Sequence, residues 1–276
     1  MLQKLWRTSP ELIASAALMQ IFLVGALVGL AVDPTIIAGA PAWLKPAKFA
    51  VSITIYTVTL AWMFTLLPEW RRTRRVIGWA TALTMVLEIV IISTQAWRGT
   101  TSHFNIATTT DAVFFQMMGS AIVAQTLSTI AVAVALWRHN FDDKPLGWAL
   151  RLGMIITIVG ALTGGLMARP TRAQLEAARD GQRLTVAGAH TVGGPDGEPG
   201  LAGTGWSTRH GDLRVPHFVG LHALQALSIV ALILVRLRLA AATRERLVIL
   251  AAASYAAVYV TLLVQALRGI PLVAIA

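Results

Sequence analysis

The feature that leaves this chain the fewest folding options is a series of seven long, mostly apolar blocks, at 12–32, 47–67, 76–97, 112–137, 146–167, 215–235 and 247–267. A helix crosses the hydrocarbon core of a bilayer with about 20 apolar residues. Inside that core the backbone has no water to bond, so a spanning segment of this kind closes its hydrogen bonds as a helix. Composition agrees: 56% of the 276 residues are hydrophobic and 13% charged, against roughly 45–50% and about 25% in soluble domains. The expected fold is all-α: a polytopic membrane protein of seven transmembrane helices forming a single transmembrane domain over 1–276.

The net charge of +10 raises the question of nucleic acid, and its placement answers it. Lys4, Arg7, Arg71, Arg72, Arg74, Arg75, Arg138, Lys144, Arg236, Arg238, Arg244 and Arg246 fall in alternate connections, twelve basic residues in all. The short connections on the other side carry four, Lys45, Lys48, Arg98 and Arg268. Cytoplasmic loops collect Lys and Arg, while long loops translocate regardless of charge, which exempts the segment 168–213. The reading is a multi-pass protein of the plasma membrane, N-terminus cytoplasmic and C-terminus extracytoplasmic, with no role in nucleic acid binding. Lys4 and Arg7 ahead of an apolar run resemble a signal peptide, but the run is too long for an h-region and is read as a retained first span. The absence of cysteine excludes disulfides, thiolate metal sites and a cysteine nucleophile.

A weak internal echo is visible. Thr94-Gln95-Ala96-Trp97-Arg98-Gly99 closes the third span and Val264-Gln265-Ala266-Leu267-Arg268-Gly269 the seventh, and Leu166-Met167-Ala168-Arg169 closes the fifth more loosely. This suggests repeated helical hairpins, 2–3, 4–5 and 6–7, appended to helix 1. Parallel repeats in membrane proteins often place a site at the repeat interface.

On this topology the polar residues crowd the extracytoplasmic ends, and polar groups at membrane depth are costly unless paired or facing a wet cavity. The stretch 190–225 holds four of the six histidines. Its glycine- and proline-rich part, 193–200, has turn chemistry throughout. The loop 168–213 is expected to fold back as a lid, held down by a surface amphipathic helix over 171–183. On a continuous sixth helix at 100° per residue, His222 and Gln225 share a face and His217 points elsewhere, so the two histidines cannot grip one metal together.

The candidate catalytic residues are therefore His217, His222, Asp212 and Asp111, with a histidine as general base. Arg98, Asn105, Arg214, Gln225, Trp206 and Arg268 are candidate substrate-binding groups. His103, His190 and His222, completed by Asp196 or Asp212, form a candidate set for Zn, Fe or Mn. Haem fits less well, because no second span holds a histidine to pair with His222, and a site without any cofactor is the remaining alternative.

Glu88 is the one acid inside the expected spans, either a proton or cation site or a neutral acid bonded to Thr54, Thr57 or Thr59. Trp43, Trp97, Trp137 and Trp148 fall at membrane interfaces. Lys45-Pro46-Ala47-Lys48-Phe49, Ser102-His103-Phe104-Asn105 and His217-Phe218-Val219-Gly220-Leu221-His222 read as motifs without a known activity, and no nucleotide-binding, nucleophile-elbow or zincin signature is present. The leading function is a membrane-embedded enzyme acting on a lipid, isoprenoid or quinone-like molecule. The alternatives are a ligand-binding sensor or subunit of a membrane complex or homo-oligomer, and a transporter.

Overall fold

A computed structural model describes residues 1–198 and 200–274; Pro199, in the turn-rich stretch, lies outside the described residues. The chain is helical, with α1 (Leu2–Thr8), α2 (Pro10–Val32), α3 (Leu44–Phe64), α4 (Arg71–Trp97), α5 (Thr109–Arg138), α6 (Lys144–Met167), α7 (Arg172–Arg179), α8 (Arg214–Leu221), α9 (Ala223–Arg236) and α10 (Ala241–Leu267). Two small antiparallel hairpins interrupt it, β1 (Ile36–Ile37) with β2 (Ala40–Pro41) and β3 (Thr191–Val192) with β4 (Gly211–Asp212). Six helices are long and apolar enough to cross a membrane, and α8 with α9 makes a seventh span if the bent pair counts as one. The fold is thus that of a helical membrane-type protein.

Several boundaries move for local reasons. α3 starts at Leu44, three residues earlier than expected, because Pro46 in a first turn needs no amide partner; Lys45 and Lys48 are therefore helical. α4 begins at Arg71, which takes the arginine cluster into the helix. α2 begins at Pro10, so Glu11 joins Glu88 as an acid within a span. The surface helix is shorter than 171–183: α7 is capped by Thr171 and Gln174 in a reciprocal capping box.

The residues fall into two compact units. The first comprises Met1–Ser128, Pro170–Gly188 and Gly197–Gly205. Here α2, α3 and α4 pack on one another around Met19, Ala50, Ile53, Met85 and Ile89. Ile21, Val24, Leu27 and Val28 of α2 stay exposed, the pattern of a helix whose outer face meets lipid. Where α2 turns into α3, Trp43 folds back onto Gly29, a position with no room for a Cβ. Its indole donates to Asp33 Oδ2 at 2.8 Å, so Trp43 anchors this turn as well as standing at a helix end.

The second unit comprises Thr129–Arg169, Ala189–Asp196 and Trp206–Ala276. α6, α8, α9 and α10 pack together around Ala149, Ala223, Leu227, Ala231, Val248 and Ala252. At the basic end Asp143 caps α6. Arg151 donates to Leu136 O at 3.0 Å and His139 O at 2.7 Å, among the rings of Trp137, Phe141 and Trp148. It is pinned by the end of α5 rather than extended to a surface. The long loop 168–213 is shared out residue by residue between the two units, and α5 runs from the first into the second.

The continuous sixth helix is the main correction. α8 and α9 meet at His222 with a bend of 42°. Three glycines stand at the bend. A Cβ on Gly160 of α6 would lie 2.5 Å from Gly220 Cα, and one on Gly153 would lie 2.9 Å from Leu224 Cα, so backbone packs on backbone. The polar groups at the break find side-chain partners: Leu224 N donates to Thr157 Oγ1 at 3.2 Å, and Tyr255 OH donates to Val219 O at 2.6 Å. A break in a membrane span is tolerated where neighbouring helices resatisfy the backbone in this way.

Packing therefore groups six of the seven spans in two threes, with α5 in neither, where the sequence suggested hairpins, and the two triplets have the same order of parts. Each has a β-hairpin between its first and second spans. Each third span ends with the same bonds. Gln95 Nε2 donates to Thr101 O (3.2 Å) and Gln265 Nε2 to Pro271 O (2.6 Å), while the amides of Thr100 and Ile270 return to Gln95 O and Gln265 O. Gly99 (φ 69°) and Gly269 (φ 75°) supply the left-handed residue that such a C-cap requires.

Candidate functional site

In the second unit several of the candidate residues gather at the hairpin end. β4 lies against the last turn of α10, since a Cβ on Gly211 would overlap Ala266 O. This places Asp212, 1% exposed, at the entrance to α8. Its carboxylate accepts from Ser207 N (2.8 Å), Arg214 N (2.9 Å), Arg214 Nε (2.9 Å) and Arg214 Nη2 (2.5 Å). A carboxylate holding four donors is a clamp, and here it sets the first turn of α8 and the direction of Arg214.

Beyond the clamp the helix presents rings. Trp206 meets Phe218 at 5.7 Å, and Phe218 meets His222 at 4.4 Å; Phe218 is 48% exposed. His222 occupies the break itself, as N-cap of α9, without a side-chain capping bond. Its imidazole makes no hydrogen bond among the described residues, and one turn on, the buried Oε1 of Gln225 has no partner. His217 points to α6, its Nδ1 2.8 Å from Gly160 O. A carbonyl can only accept, so Nδ1 carries the hydrogen and neutral His217 keeps its Nε2 lone pair. The 100° argument separating His217 from His222 no longer applies across the break, though His222 and Gln225 remain i, i+3 within the register of α9.

The loop of this unit closes on itself. Asp196 accepts from the amides of His190 (2.9 Å) and Thr191 (2.8 Å), from Thr191 Oγ1 (2.7 Å) and from His190 Nδ1 (2.8 Å). Partial burial opposes its charge, yet the His190 and Thr191 bonds prevail and hold the carboxyl well below the usual range. His210 packs where a Cβ of Gly194 would be, and Arg268, at the end of α10, is exposed.

The first unit carries the remaining residues singled out from sequence. Asp111, in the first turn of α5, accepts from Thr108 Oγ1 (2.6 Å), Gln95 Nε2 (2.8 Å) and Arg98 Nη1 (2.7 Å), a clamp of the same kind as Asp212 with Arg214. Asn105 is buried and spent on its own loop, bonding Thr100 Oγ1, Thr101 O and the amide of Ala107. His103 Nδ1 lies 3.0 Å from Lys45 Nζ and 3.1 Å from Ser102 Oγ. Asp33, in the α2–α3 turn, is held below the ordinary carboxylate range by hydrogen bonds from Thr35 and Trp43. A concavity of about 550 Å³ between α4 and α5, lined by Leu83, Leu87, Val113 and Met117 with Thr84, Gln116 and Ser120, is mostly apolar and holds no titratable group.

Of the expected site, His190, His217, His222, Asp212, Arg214, Trp206, Gln225 and Arg268 belong to the second unit, and His103, Asp111, Arg98 and Asn105 to the first. Among the described residues no group of three or more His, Asp or Glu side chains is arranged to hold a metal ion. Of the set His103, His190 and His222, the first belongs to one unit and the other two to the other, where His190 bonds Asp196. Sequence reasoning missed Thr157 and Tyr255, which make the break possible, and Gln95, which binds Asp111. It read Lys45 as a topology marker, although the Lys45-Pro46-Ala47-Lys48-Phe49 string flagged the segment.

Comparison with family models, with curated proteins and with solved structures finds no match. Fold and site define a class: an all-helical protein with several apolar helices, compatible with a membrane location.

Proposed function

We propose that this chain is a membrane-embedded enzyme acting at the hairpin end of its second unit on a lipid, isoprenoid or quinone-like molecule. The observation that carries the reading is the break at His222. An uncommitted imidazole stands there beside the unpartnered Gln225 Oε1, at the end of a row of rings whose middle member, Phe218, is exposed. Trp206 and Phe218 would flank a flat or branched apolar group, Gln225 would accept from a substrate hydroxyl or N–H, and His222 would move the proton. His217 stands ready as acceptor through Nε2. Asp212 holds Arg214, and Arg268 offers a further cation for an anionic head group. The charge bias of the connections supports a plasma-membrane protein with this end outside, the N-terminus in the cytoplasm and the C-terminus extracytoplasmic.

Transport is the second reading, favoured by the two like-built triplets, since parallel repeats occur in transporters. The experiment compares wild-type and His222→Ala chains in nanodiscs, each given a short-chain quinone, an isoprenyl phosphate and a phospholipid, with products identified by mass spectrometry. The enzyme reading expects conversion of one of them and a loss of about 100-fold or more in His222→Ala. Equal conversion by both chains overturns it. Binding without conversion points to a ligand-binding sensor or complex subunit, and flux across proteoliposomes without conversion to a transporter.

A further inference from the structure

The first unit holds a group that chemistry at His222 does not use. Glu88, in the middle of α4, is 1% exposed, and both its carboxyl oxygens are buried without a hydrogen-bond partner among the described residues. The threonines that could have bonded it are spent on their own helix: Thr54 on Ala50 O, Thr57 on Ile53 O and Thr59 on Ile55 O. One turn away, Thr84 bonds Ala80 O and the side chain of Gln125, whose Nε2 donates to Tyr56 OH. An unpaired carboxylate in a dry interior costs several kcal/mol, so the site needs a positive partner. A hard metal cation would need about six oxygen ligands, and among the described residues no group of three or more His, Asp or Glu side chains is arranged to hold one. A proton needs one carboxyl oxygen.

A basic pair at the hairpin end bears on that equilibrium. Lys45, in the first turn of α3, is the cation whose field reaches Glu88. Its Nζ meets His103 Nδ1 at 3.0 Å, and the Phe49 ring walls the pair, 5.8 Å from Nζ and 6.0 Å from the imidazole. Both Lys45 and His103 are partly exposed at the hairpin end. Other charges on the packed elements are remote or committed. Glu11 of α2 lies against Gly78, ten residues and about 15 Å along α4, and Asp111 of α5 is held by Arg98.

We infer that the first unit carries a second site, a buried proton-binding site at Glu88, whose charged form is favoured by Lys45, held at the hairpin end by His103. A proton from solution adds to a lone pair of a Glu88 carboxylate oxygen, and on release its bonding pair returns to that oxygen. One proton is transferred and nothing is oxidised or reduced.

The test is infrared difference spectroscopy over a pH series on the full chain in nanodiscs, for wild type, Glu88→Gln and Lys45→Met. The expected result is a carbonyl band of a protonated, non-hydrogen-bonded carboxylic acid that titrates in wild type and is missing from Glu88→Gln. Its midpoint moves by about one pH unit in Lys45→Met, the effect of one charge in a partly desolvated setting. A wild type without the band, a band that persists in Glu88→Gln, or a midpoint indifferent to Lys45→Met overturns the inference. Because wild type alone can fail this test, a misfolded variant cannot protect it. None of these measurements depends on His222, so either reading can fail without the other.

Discussion

The two units have the same order of parts and differ in the second span. In the first unit α3 runs unbroken from Leu44 to Phe64, and α4 buries an acidic side chain, Glu88. In the second unit the corresponding helix is broken at His222, and backbone groups at the break need partners. There Val219 O and Leu224 N are answered by Tyr255 and Thr157. A triplet of spans can thus host polarity in two ways, by burying an acid in a continuous helix or by opening the helix and lining the gap. Both units tie their helix ends with an aspartate held by an arginine, Asp111 with Arg98 and Asp212 with Arg214.

That contrast is most easily broken at the glycines. In Gly160→Leu the new side chain must displace the Gly220 backbone, which is held at the crossing and cannot rotate away. The expected cost is about 3 kcal/mol or more, read as a lowered unfolding temperature in nanodiscs. Gly119→Leu in the first unit, where a Cβ meets nothing within 4 Å, should change stability by less than about 0.5 kcal/mol. Equal effects at the two positions would mean that the close crossing does not set the bend.

A smaller effect belongs to the loop of the second unit. Asp196 has a lowered folded pKa, so its contribution is complete at neutral pH and above its ordinary value of 3.8. It is lost only as pH falls through the still lower folded value. Asp196→Asn should loosen the loop by about 1 kcal/mol at neutral pH, seen as faster limited proteolysis between residues 190 and 196. The wild-type rate should stay flat from neutral pH down to the ordinary carboxylate range. A rate that rises already in mildly acid solution would show that Asp196 does not order the loop.

How much of this could be read from sequence depends on which physics sets each feature. The spans were legible because hydrocarbon imposes length and apolarity on any crossing helix. Asp111 and Asp212 were legible as polar candidates, yet not as clamps, because Gln95 reads as an ordinary interface residue until Asp111 is placed against it. The break at His222 was not legible: residues 215–235 form one mostly apolar block of spanning length. What opens it is a glycine-to-glycine approach from α6 together with hydroxyls on α6 and α10, contacts between segments distant in sequence. Glu88 stood out by its charge, but that all three candidate threonines turn back on their own carbonyls follows only from the packed helices.

The central claim, that the working site lies at the break of the second unit, is tested most directly by mapping a photoreactive short-chain quinone analogue on the full chain in nanodiscs. The account predicts labelled peptides within 206–225, with labelling lost in His222→Ala and displaced by unlabelled quinone. Label confined to 83–121, around the concavity between α4 and α5, and unaffected by His222→Ala, would contradict it.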